Sequence, residues 1–426
     1  MKRVVVIGSG FSGLSAAAFL AKSGMKITVL EKNEQLGGRA RMFKDKGYSF
    51  DMGPSWYWMP DIFENFFKDF NFEISNLYDL IELNPGFKMI FGDDEIAISS
   101  NFKEVCRVFE DYEEGGGDKL KRFIKDAGCK YEIGIDFLYN SPGISVLELF
   151  SRKILLNLTK FDLLTSYRKH IRKYFQHPSL IALLEFPVLF LGESAQKMPA
   201  LYSLMAYSAF KQGTFYPMGG FNEVIKSMIK VCQDLGVEFQ VNQRVSKINI
   251  QDMKAVSVET NEKKLWSADF VLASADYAHV EKNLLEPKYR NYSASYWTKK
   301  SFSPSALIFY LGINKKLKKI IHHNLFFDED IELFSNEIYQ DRSWPSKPLF
   351  YTCCPSKTDK DVAPVGKENV FILMPLPIGV EDTDELREKY FSIIMEKLEK
   401  YCAQEIVKHI EYKRSYCIND FKEDYN

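Results

Sequence analysis

A phosphate-binding turn is predicted from the spacing of three glycines near the N-terminus. The turn has the pattern Gly-x-Gly-x-x-Gly and consists of Gly8, Ser9, Gly10, Phe11, Ser12 and Gly13. In this pattern the first glycine permits a tight bend, the second lets a pyrophosphate approach the backbone, and the third lets a helix pack closely on a strand. The N–H groups at the start of that helix then face the phosphates. We therefore expect a dinucleotide to bind here.

Two strands and a helix must position this turn, and the sequence predicts all three. Residues 2–7 form a mostly apolar strand, residues 11–23 carry an apolar helical stripe, and residues 26–30 form a second strand. Glu31 ends the second strand about 20 residues after the turn, where dinucleotide-binding units place the acid that binds a ribose hydroxyl. The alternative is a surface glutamate after an ordinary strand–helix–strand unit, which the order of strand, glycines, helix, strand and acid disfavours.

A second cluster of glycines and cations follows the acid. Lys32 is next in the chain, and Gly38, Arg39 and Arg41 come after it. Glycine lets the backbone approach a ligand closely, and a guanidinium neutralises phosphate with paired donors. The stretch from Glu31 to Arg41 resembles the second half of the flavin-binding signature of the FAD-dependent amine oxidase and carotenoid desaturase superfamily. The resemblance implies that FAD is the cofactor and that these residues support its phosphates and its flavin side.

Later segments resemble the bacterial phytoene desaturase type within that superfamily. The segments that carry this resemblance are residues 51–60, 213–220, 273–277, 304–312, 322–327 and 351–357. The resemblance implies that Gly53, Pro54 and Ser55 lie along the flavin and that the backbone near Val245 contacts the adenine side. The three aromatic residues 56–58 either fill the core or shape the substrate side of the flavin.

The predicted fold class is α/β, with a Rossmann-like, discontinuous FAD-binding domain and an inserted α+β substrate domain. At 426 residues the chain is too long for one compact core. Residues 1–70 and 212–285 are assigned to the FAD-binding domain, and residues 71–211 and 286–426 to the substrate and membrane-facing domain. The strand predicted over residues 244–248 is expected to join the nucleotide-binding sheet.

The resemblance implies an enzyme that desaturates a long isoprenoid in carotenoid biosynthesis. Hydride would pass from a saturated carbon of a phytoene-like carotene to the flavin. A flavin supplies this chemistry itself, so no catalytic acid, base or nucleophile is assigned. Three alternatives stay open: a desaturase of a hydroxylated or partly unsaturated carotenoid, a non-catalytic isoprenoid-binding relative, and an amine oxidase.

The overall composition argues against other functional classes. The net charge of −1 is not that of a nucleic-acid-binding protein. The seven cysteines form no Cys-x-x-Cys pair, so we expect a reducing cytoplasm and no disulfide framework. The six histidines show no metal-like spacing, and the adjacent His322 and His323 cannot share one face of a helix. No metal site is therefore predicted, and these two histidines are interpreted as exposed or packed side chains, with a role near the substrate as the alternative.

A membrane surface is the expected location of the protein. The apolar stretch of residues 180–192 is interrupted by Glu185 and Pro187, and spanning a bilayer takes about 20 apolar residues. Residues 152–173 combine many basic side chains with apolar positions, a pattern typical of a helix in an anionic lipid interface, with a solvated basic face as the alternative. We expect a cytoplasmic, peripherally attached protein with an isoprenoid substrate, and leave other carotenoid-pathway enzymes open as partners.

The resemblance ends with the last residue of the sequence. Family members continue beyond the position of Asn426 with a glycine- and proline-rich segment beside the flavin ring and a closing helix. We expect this C-terminal, FAD-closing segment to be missing from the given chain, which is then either a fragment or truncated product or a chain completed by a separate one. The sequence therefore predicts weak FAD retention and little turnover for this chain by itself.

Overall fold

A computed structural model describes residues 1–141, 145, 162–189, 191–300 and 302–425. The strands are β1 (Arg3–Ile7), β2 (Lys26–Leu30), β3 (Met42–Asp45), β4 (Tyr48–Asp51), β5 (Leu80–Glu82), β6 (Phe87–Phe91), β7 (Asp94–Ile98), β8 (Phe215–Pro217), β9 (Glu238–Gln240), β10 (Val245–Gln251), β11 (Lys254–Thr260), β12 (Leu265–Ser267), β13 (Phe270–Ala273), β14 (Ser305–Ile313), β15 (His323–Phe326), β16 (Phe350–Cys353), β17 (Glu368–Leu376) and β18 (Ile410–Tyr416). The α-helices are α1 (Phe11–Lys22), α2 (Pro60–Asp69), α3 (Phe102–Tyr112), α4 (Gly116–Asn140), α5 (Tyr167–Ile171), α6 (Pro178–Leu189), α7 (Leu204–Tyr207), α8 (Phe221–Asp234), α9 (Tyr277–His279), α10 (Ala294–Thr298), α11 (Ile331–Asn336), α12 (Asp384–Cys402) and α13 (Ile418–Tyr425). Short turns of 3-10 or π helix occupy Gly38–Ala40, Ile74–Asn76, Ala200–Ser203, Ser208–Gln212, Val280–Leu284, Pro287–Tyr289, Glu337–Asp341, Pro355–Lys357 and Val407–His409.

The first sheet has four parallel strands in the order β13-β1-β2-β9. Residues 4–7 of β1 are all buried, as expected for a continuous apolar run in a parallel sheet that is covered on both faces. Helices α1 and α8 pack on one face around Val6, Leu14 and Val224. The carboxyl ends of β1, β2 and β13 meet at one edge, where the glycine turn begins. The predicted α/β fold class is confirmed.

The second sheet has the order β10-β11-β12 and is antiparallel. The prediction that residues 244–248 would join the nucleotide-binding sheet is wrong. Val245 and Ile248 are buried against Val5 on the other face of the first sheet, so β10 belongs to a layer that covers that sheet. The backbone N–H of Gln243 donates to the Glu31 carbonyl at 2.8 Å, which holds the start of β10 beside the end of β2.

The third sheet is the largest, with the order β18-β14-β17-β16-β15-β6-β7. β6 and β15 run parallel, and the other neighbours are antiparallel. Alternate residues of β14 face opposite sides, so Phe309 packs against α12 while Tyr310 packs toward the helices before β8. The sheet combines residues 87–98 with residues 305–416. These belong to the two segments assigned from sequence to the substrate domain, and that division of the chain stays a prediction.

The basic stretch of residues 152–173 lies partly outside the described residues, which omit residues 152–161. In the described part, Arg168 is buried. Its guanidinium donates to the carboxylate of Glu185 at 2.8 and 3.0 Å. Arg168 is one of the basic side chains of this stretch, but it is not a surface cation, because it forms an internal ion pair with Glu185. Within the described ranges, no helix has the length and apolar character needed to cross a membrane.

Candidate functional site

A cleft of about 490 Å³ opens at the carboxyl edge of the first sheet. Its walls come from the ends of β1, β2 and β13, from the start of β10 and from α13. The predicted cofactor residues that line it are Gly8, Ser9, Gly10, Phe11, Ser12, Glu31, Lys32, Gly38, Arg39 and Val245. The predicted residues that do not line it are Gly13, Arg41, Gly53, Pro54 and Ser55. The structure thus brings most of the predicted dinucleotide residues together around one cavity.

The glycine turn has the close contacts that its motif requires. Gly8 has a φ of +97°, a conformation that favours glycine. A Cβ atom on Gly13 would lie 2.1 Å from the Gly8 carbonyl oxygen, so a side chain there would push α1 away from β1. A Cβ atom on Gly10 would meet no described atom within 4 Å. Gly10 is also the N-cap of α1, so no side chain competes with a phosphate for the first N–H groups of the helix.

Glu31 ties this turn to the end of β2. Its buried carboxylate accepts hydrogen bonds from the N–H and the hydroxyl of Ser9 at 3.0 and 2.6 Å. It also accepts from the backbone and side-chain N–H groups of Asn33 at 3.0 and 3.1 Å. The Ser9 hydroxyl in turn accepts from the Gly37 N–H at 3.1 Å. The turn, the end of β2 and the second glycine cluster are therefore one hydrogen-bonded unit.

Cationic side chains collect on the walls of the cleft, where Lys32, Arg39 and Arg244 lie together with His279. Burial, followed by repulsion from Arg244, lowers the pKa of Lys32. Burial, followed by repulsion from Lys32 and Arg244, lowers the pKa of His279. Because positive charge on Lys32 and His279 is disfavoured by their cationic neighbours, an anionic ligand such as a diphosphate is favoured between these side chains.

The last helix, α13, borders the cleft and holds Arg41. The Arg41 guanidinium donates to the Gly38 carbonyl at 3.2 Å and to the Asp424 carboxylate at 2.7 Å. The centre of the Tyr425 ring lies 5.4 Å from the guanidinium carbon of Arg41 and 5.7 Å from that of Arg39, within cation–π range. Asp424 and Tyr425 line the cleft and Arg41 does not, because these contacts turn its charge toward the helix.

The segment Gly53, Pro54 and Ser55 follows β4 and lies outside the cleft. A Cβ atom on Gly53 would lie 2.3 Å from the Arg39 carbonyl oxygen, so glycine permits the close approach of these two backbones. Ser55 instead lines a separate cavity of about 20 Å³ and shares a 2.9 Å hydrogen bond with the Tyr351 hydroxyl. The position of these three residues along a flavin stays a prediction.

The structure adds residues to the cleft that the sequence analysis did not assign. Ser274, Ala275 and Asp276 follow β13 and line the cleft. The parallel pairing of β13 with β1 brings them there, so the order of the strands could have identified them. The position of Asp424 beside the cleft could not be predicted from the order of the strands, because its partner Arg41 lies 383 positions away in the sequence.

Comparisons with known proteins agree with this geometry. Residues 11–426 match the family described as flavin containing amine oxidoreductase. The chain is 35% identical over 99% of its length to the carotenoid 3,4-desaturase of Haloarcula japonica and covers 86% of that protein. It is 31% identical over 90% of its length to the phytoene desaturase of Fusarium fujikuroi and covers 68% of that protein. A solved oxidoreductase from Methanosarcina mazei shares the fold, with a TM-score of 0.62 at 17% identity over 98% of this chain and 88% of that one.

Alanine substitutions at Gly10 and at Gly13 should distinguish the effect of this turn on FAD binding from its effect on the stability of the fold. In Gly10→Ala the new methyl group meets no described atom within 4 Å but occupies the space in which we expect the pyrophosphate. We expect its unfolding temperature to stay within about 2 °C of the wild type, while its affinity for FAD falls at least about tenfold. In Gly13→Ala the methyl group overlaps the Gly8 carbonyl, so both stability and affinity should fall.

Thermal unfolding without FAD and titration of FAD by fluorescence quenching measure these two effects. The two alanine variants serve as matched controls for each other, because each adds one methyl group to the same turn. Wild-type FAD affinity in a stably folded Gly10→Ala chain would contradict the placement of the pyrophosphate.

Asp424→Asn should tighten FAD binding. The carboxylate holds Arg41 and borders the cleft, so removing its charge weakens the repulsion of phosphate and frees the guanidinium. We expect affinity for FAD to rise about threefold at low ionic strength and the gain to shrink with added salt. Glu423→Gln is the matched control, because Glu423 is an exposed neighbour on the same helix that does not line the cleft. Weaker FAD binding in Asp424→Asn than in this control would show that the carboxylate supports the cofactor.

Proposed function

Since the chain belongs to the family of flavin containing amine oxidoreductases, we propose that it is an FAD-dependent desaturase of a long isoprenoid in carotenoid biosynthesis. The predicted membership of the flavin-dependent family and the predicted FAD cofactor are confirmed. The main structural support is the glycine turn, whose Ser9 is hydrogen-bonded to Glu31 at the edge of a parallel sheet. The chain that carries this turn is 35% identical to a carotenoid 3,4-desaturase. Bound FAD supplies the acceptor for the hydride that leaves a CH–CH bond.

The chain's own residues bind and orient the cofactor in this proposal. Gly10 and the first turn of α1 receive the pyrophosphate. Glu31, at the end of β2, binds the adenosine ribose, and the backbone at Val245 borders the adenine. Arg39 neutralises phosphate charge. The cleft geometry supports each of these roles, because all of these residues line one cavity.

The aromatic residues that directly follow Ser55 support the proposal that the substrate binds against an apolar wall. The ring of Trp56 lies 5.0 Å from that of Trp58 and 5.6 Å from that of Phe87. Tyr57 packs into the apolar core beside the first sheet, where its hydroxyl shares a 2.8 Å hydrogen bond with that of Tyr78. We propose that the half-buried Trp56 contributes to an apolar wall for the isoprenoid, since large rings bind such chains by contact area.

Product analysis in cells that accumulate a defined carotene tests the proposed reaction. The chain should convert phytoene or a more unsaturated carotene to a product with additional conjugated double bonds, detected by its red-shifted absorption and by a mass lower by two hydrogens per step. Gly10→Ala should form at least about tenfold less product at the same protein level, because it binds less FAD. An unchanged carotene pool, with FAD bound to the wild-type chain, would contradict the desaturase proposal. Amine-dependent release of hydrogen peroxide would favour an amine oxidase.

We further propose that the protein contacts a membrane surface through a patch next to α5. Leu163 and Leu164 have 50% and 102% of their surface exposed. Lys169, Arg172 and Lys173 are exposed close to them in the sequence. Apolar side chains beside cations suit an anionic lipid interface, and a lipid-soluble substrate would reach the enzyme from there.

Leu164→Glu should weaken binding to anionic vesicles. The substitution places a negative charge on the proposed patch, so we expect at least threefold less protein in the vesicle pellet at low salt. Val365→Glu is the matched control, because Val365 is also fully exposed, at 101%, and lies elsewhere in the chain. Co-sedimentation with phosphatidylglycerol vesicles measures the effect. Equal binding of the two variants would contradict this patch as the contact.

A further inference from the structure

A buried group of ligating side chains lies in the third sheet, outside the dinucleotide cleft. His323 on β15 is directly opposite Cys353 on β16 in their antiparallel pairing, and His322 immediately precedes β15. One ring nitrogen of each histidine and the cysteine sulfur all lie within 4.8 Å of one another. Their exposed fractions are 3% for His322, 0% for His323 and 2% for Cys353. Two imidazoles and a thiol thus converge where bulk water does not reach.

Each imidazole uses one nitrogen and leaves the other unpaired. His322 Nδ1 shares a 2.8 Å hydrogen bond with the Thr358 hydroxyl, and His323 Nδ1 shares a 2.6 Å hydrogen bond with the Tyr351 hydroxyl. Neither Nε2 atom has a hydrogen-bond partner in the described part of the chain, although both are buried. When Nδ1–H donates to the hydroxyl, Nε2 carries a lone pair, which is the arrangement of a metal-ligating histidine.

A cavity of about 20 Å³ adjoins this group. His322, Cys353, Asp51 and Ser55 are among the residues that line it. The Oδ1 atom of Asp51 is also buried without a hydrogen-bond partner among the described residues. The volume suits one ion or one water molecule and is far below that of an organic ligand. A small polar occupant of this cavity would meet Asp51 and His322 directly, whereas His323 does not line it.

We propose that His322, His323 and Cys353 bind one Zn²⁺ ion, with the cavity beside Asp51 supplying the fourth position. Imidazole nitrogen and thiolate sulfur are the donors of tetrahedral zinc sites, whereas magnesium and calcium take oxygen ligands. Zinc bonds of about 2.0–2.3 Å bring ligand atoms within about 4 Å of one another. The three ligand atoms here lie within 4.8 Å of one another, so zinc binding requires only small side-chain movements. On binding, the Cys353 sulfur releases its proton to solvent and forms the S–Zn bond.

The neighbouring rings favour a fixed, structural site. The Trp56 ring stacks on that of His323, with centroids 4.1 Å apart and an angle of 12°, and the Tyr216 ring lies 4.7 Å from that of His322. Because these rings enclose the ligands, the ion would enter as the chain folds and would tie β15 and β16 to the segment after β4. The inference does not rest on the desaturase proposal, since the ligands lie outside the cleft.

Metal analysis of the untagged full chain tests the site. The protein is produced in medium with added zinc, purified through a column containing EDTA and analysed by inductively coupled plasma mass spectrometry. We expect about one zinc per wild-type chain and less than about a tenth of that in Cys353→Ser and His322→Gln. X-ray absorption at the zinc edge of the wild type should show one sulfur ligand at about 2.3 Å and nitrogen ligands at about 2.0 Å.

Cys354→Ser is the matched control for Cys353→Ser. Cys354 is the next residue and is equally buried, but its sulfur lies 3.5 Å from the Ser356 hydroxyl and the Glu368 carboxylate. This variant should keep its zinc. A wild-type chain without zinc, or a zinc spectrum without a sulfur ligand, would overturn the proposal. Either result would indicate that a water molecule occupies the cavity. Equal zinc contents in Cys353→Ser and Cys354→Ser would overturn it as well.

Discussion

The contact between Gly13 and the Gly8 carbonyl is the constraint on which the dinucleotide site depends. It allows α1 to start directly against β1, which leaves the first N–H groups of the helix at the edge of the sheet. The other walls of the cleft lie around the start of α1. Glu31 is hydrogen-bonded to Ser9 of the glycine turn, and Asp424 of α13 lines one side of the cleft. The cleft in which we propose that a pyrophosphate binds is therefore a consequence of how closely one helix and one strand can pack.

The sequence predicts this part of the molecule well because its determinants are local. Residues 8–13 and Glu31 belong to one strand–helix–strand unit, in which spacing along the chain fixes position in space. Residues 244–248 were assigned to the wrong sheet, because apolar periodicity shows that a strand is half-buried but not which strand it pairs with. The burial of Arg168 is not predicted for a related reason, since its partner Glu185 lies 17 positions away and no local pattern indicates that pairing.

Asp51 links the two parts of the molecule. One of its carboxylate oxygens accepts a hydrogen bond from the Phe221 N–H at 3.0 Å, at the start of α8, which packs on the first sheet. Its other oxygen is buried, and Asp51 lines the small cavity together with His322 and Cys353. The proximity of the two histidines to Cys353 is not predicted from their spacing on a helix, because one lies at the start of a strand and its neighbour just before it.

Competition between fragments of the cofactor tests the central claim most directly. FAD bound to the purified wild-type chain is titrated with ADP, which carries the adenosine and the pyrophosphate, and in parallel with FMN, which carries the flavin and one phosphate. Displaced FAD is collected by ultrafiltration and quantified by chromatography, which separates it from FMN. The cleft formed by the glycine turn and Glu31 predicts that ADP displaces FAD at lower concentration than FMN does. Displacement by FMN with no effect of ADP would contradict it.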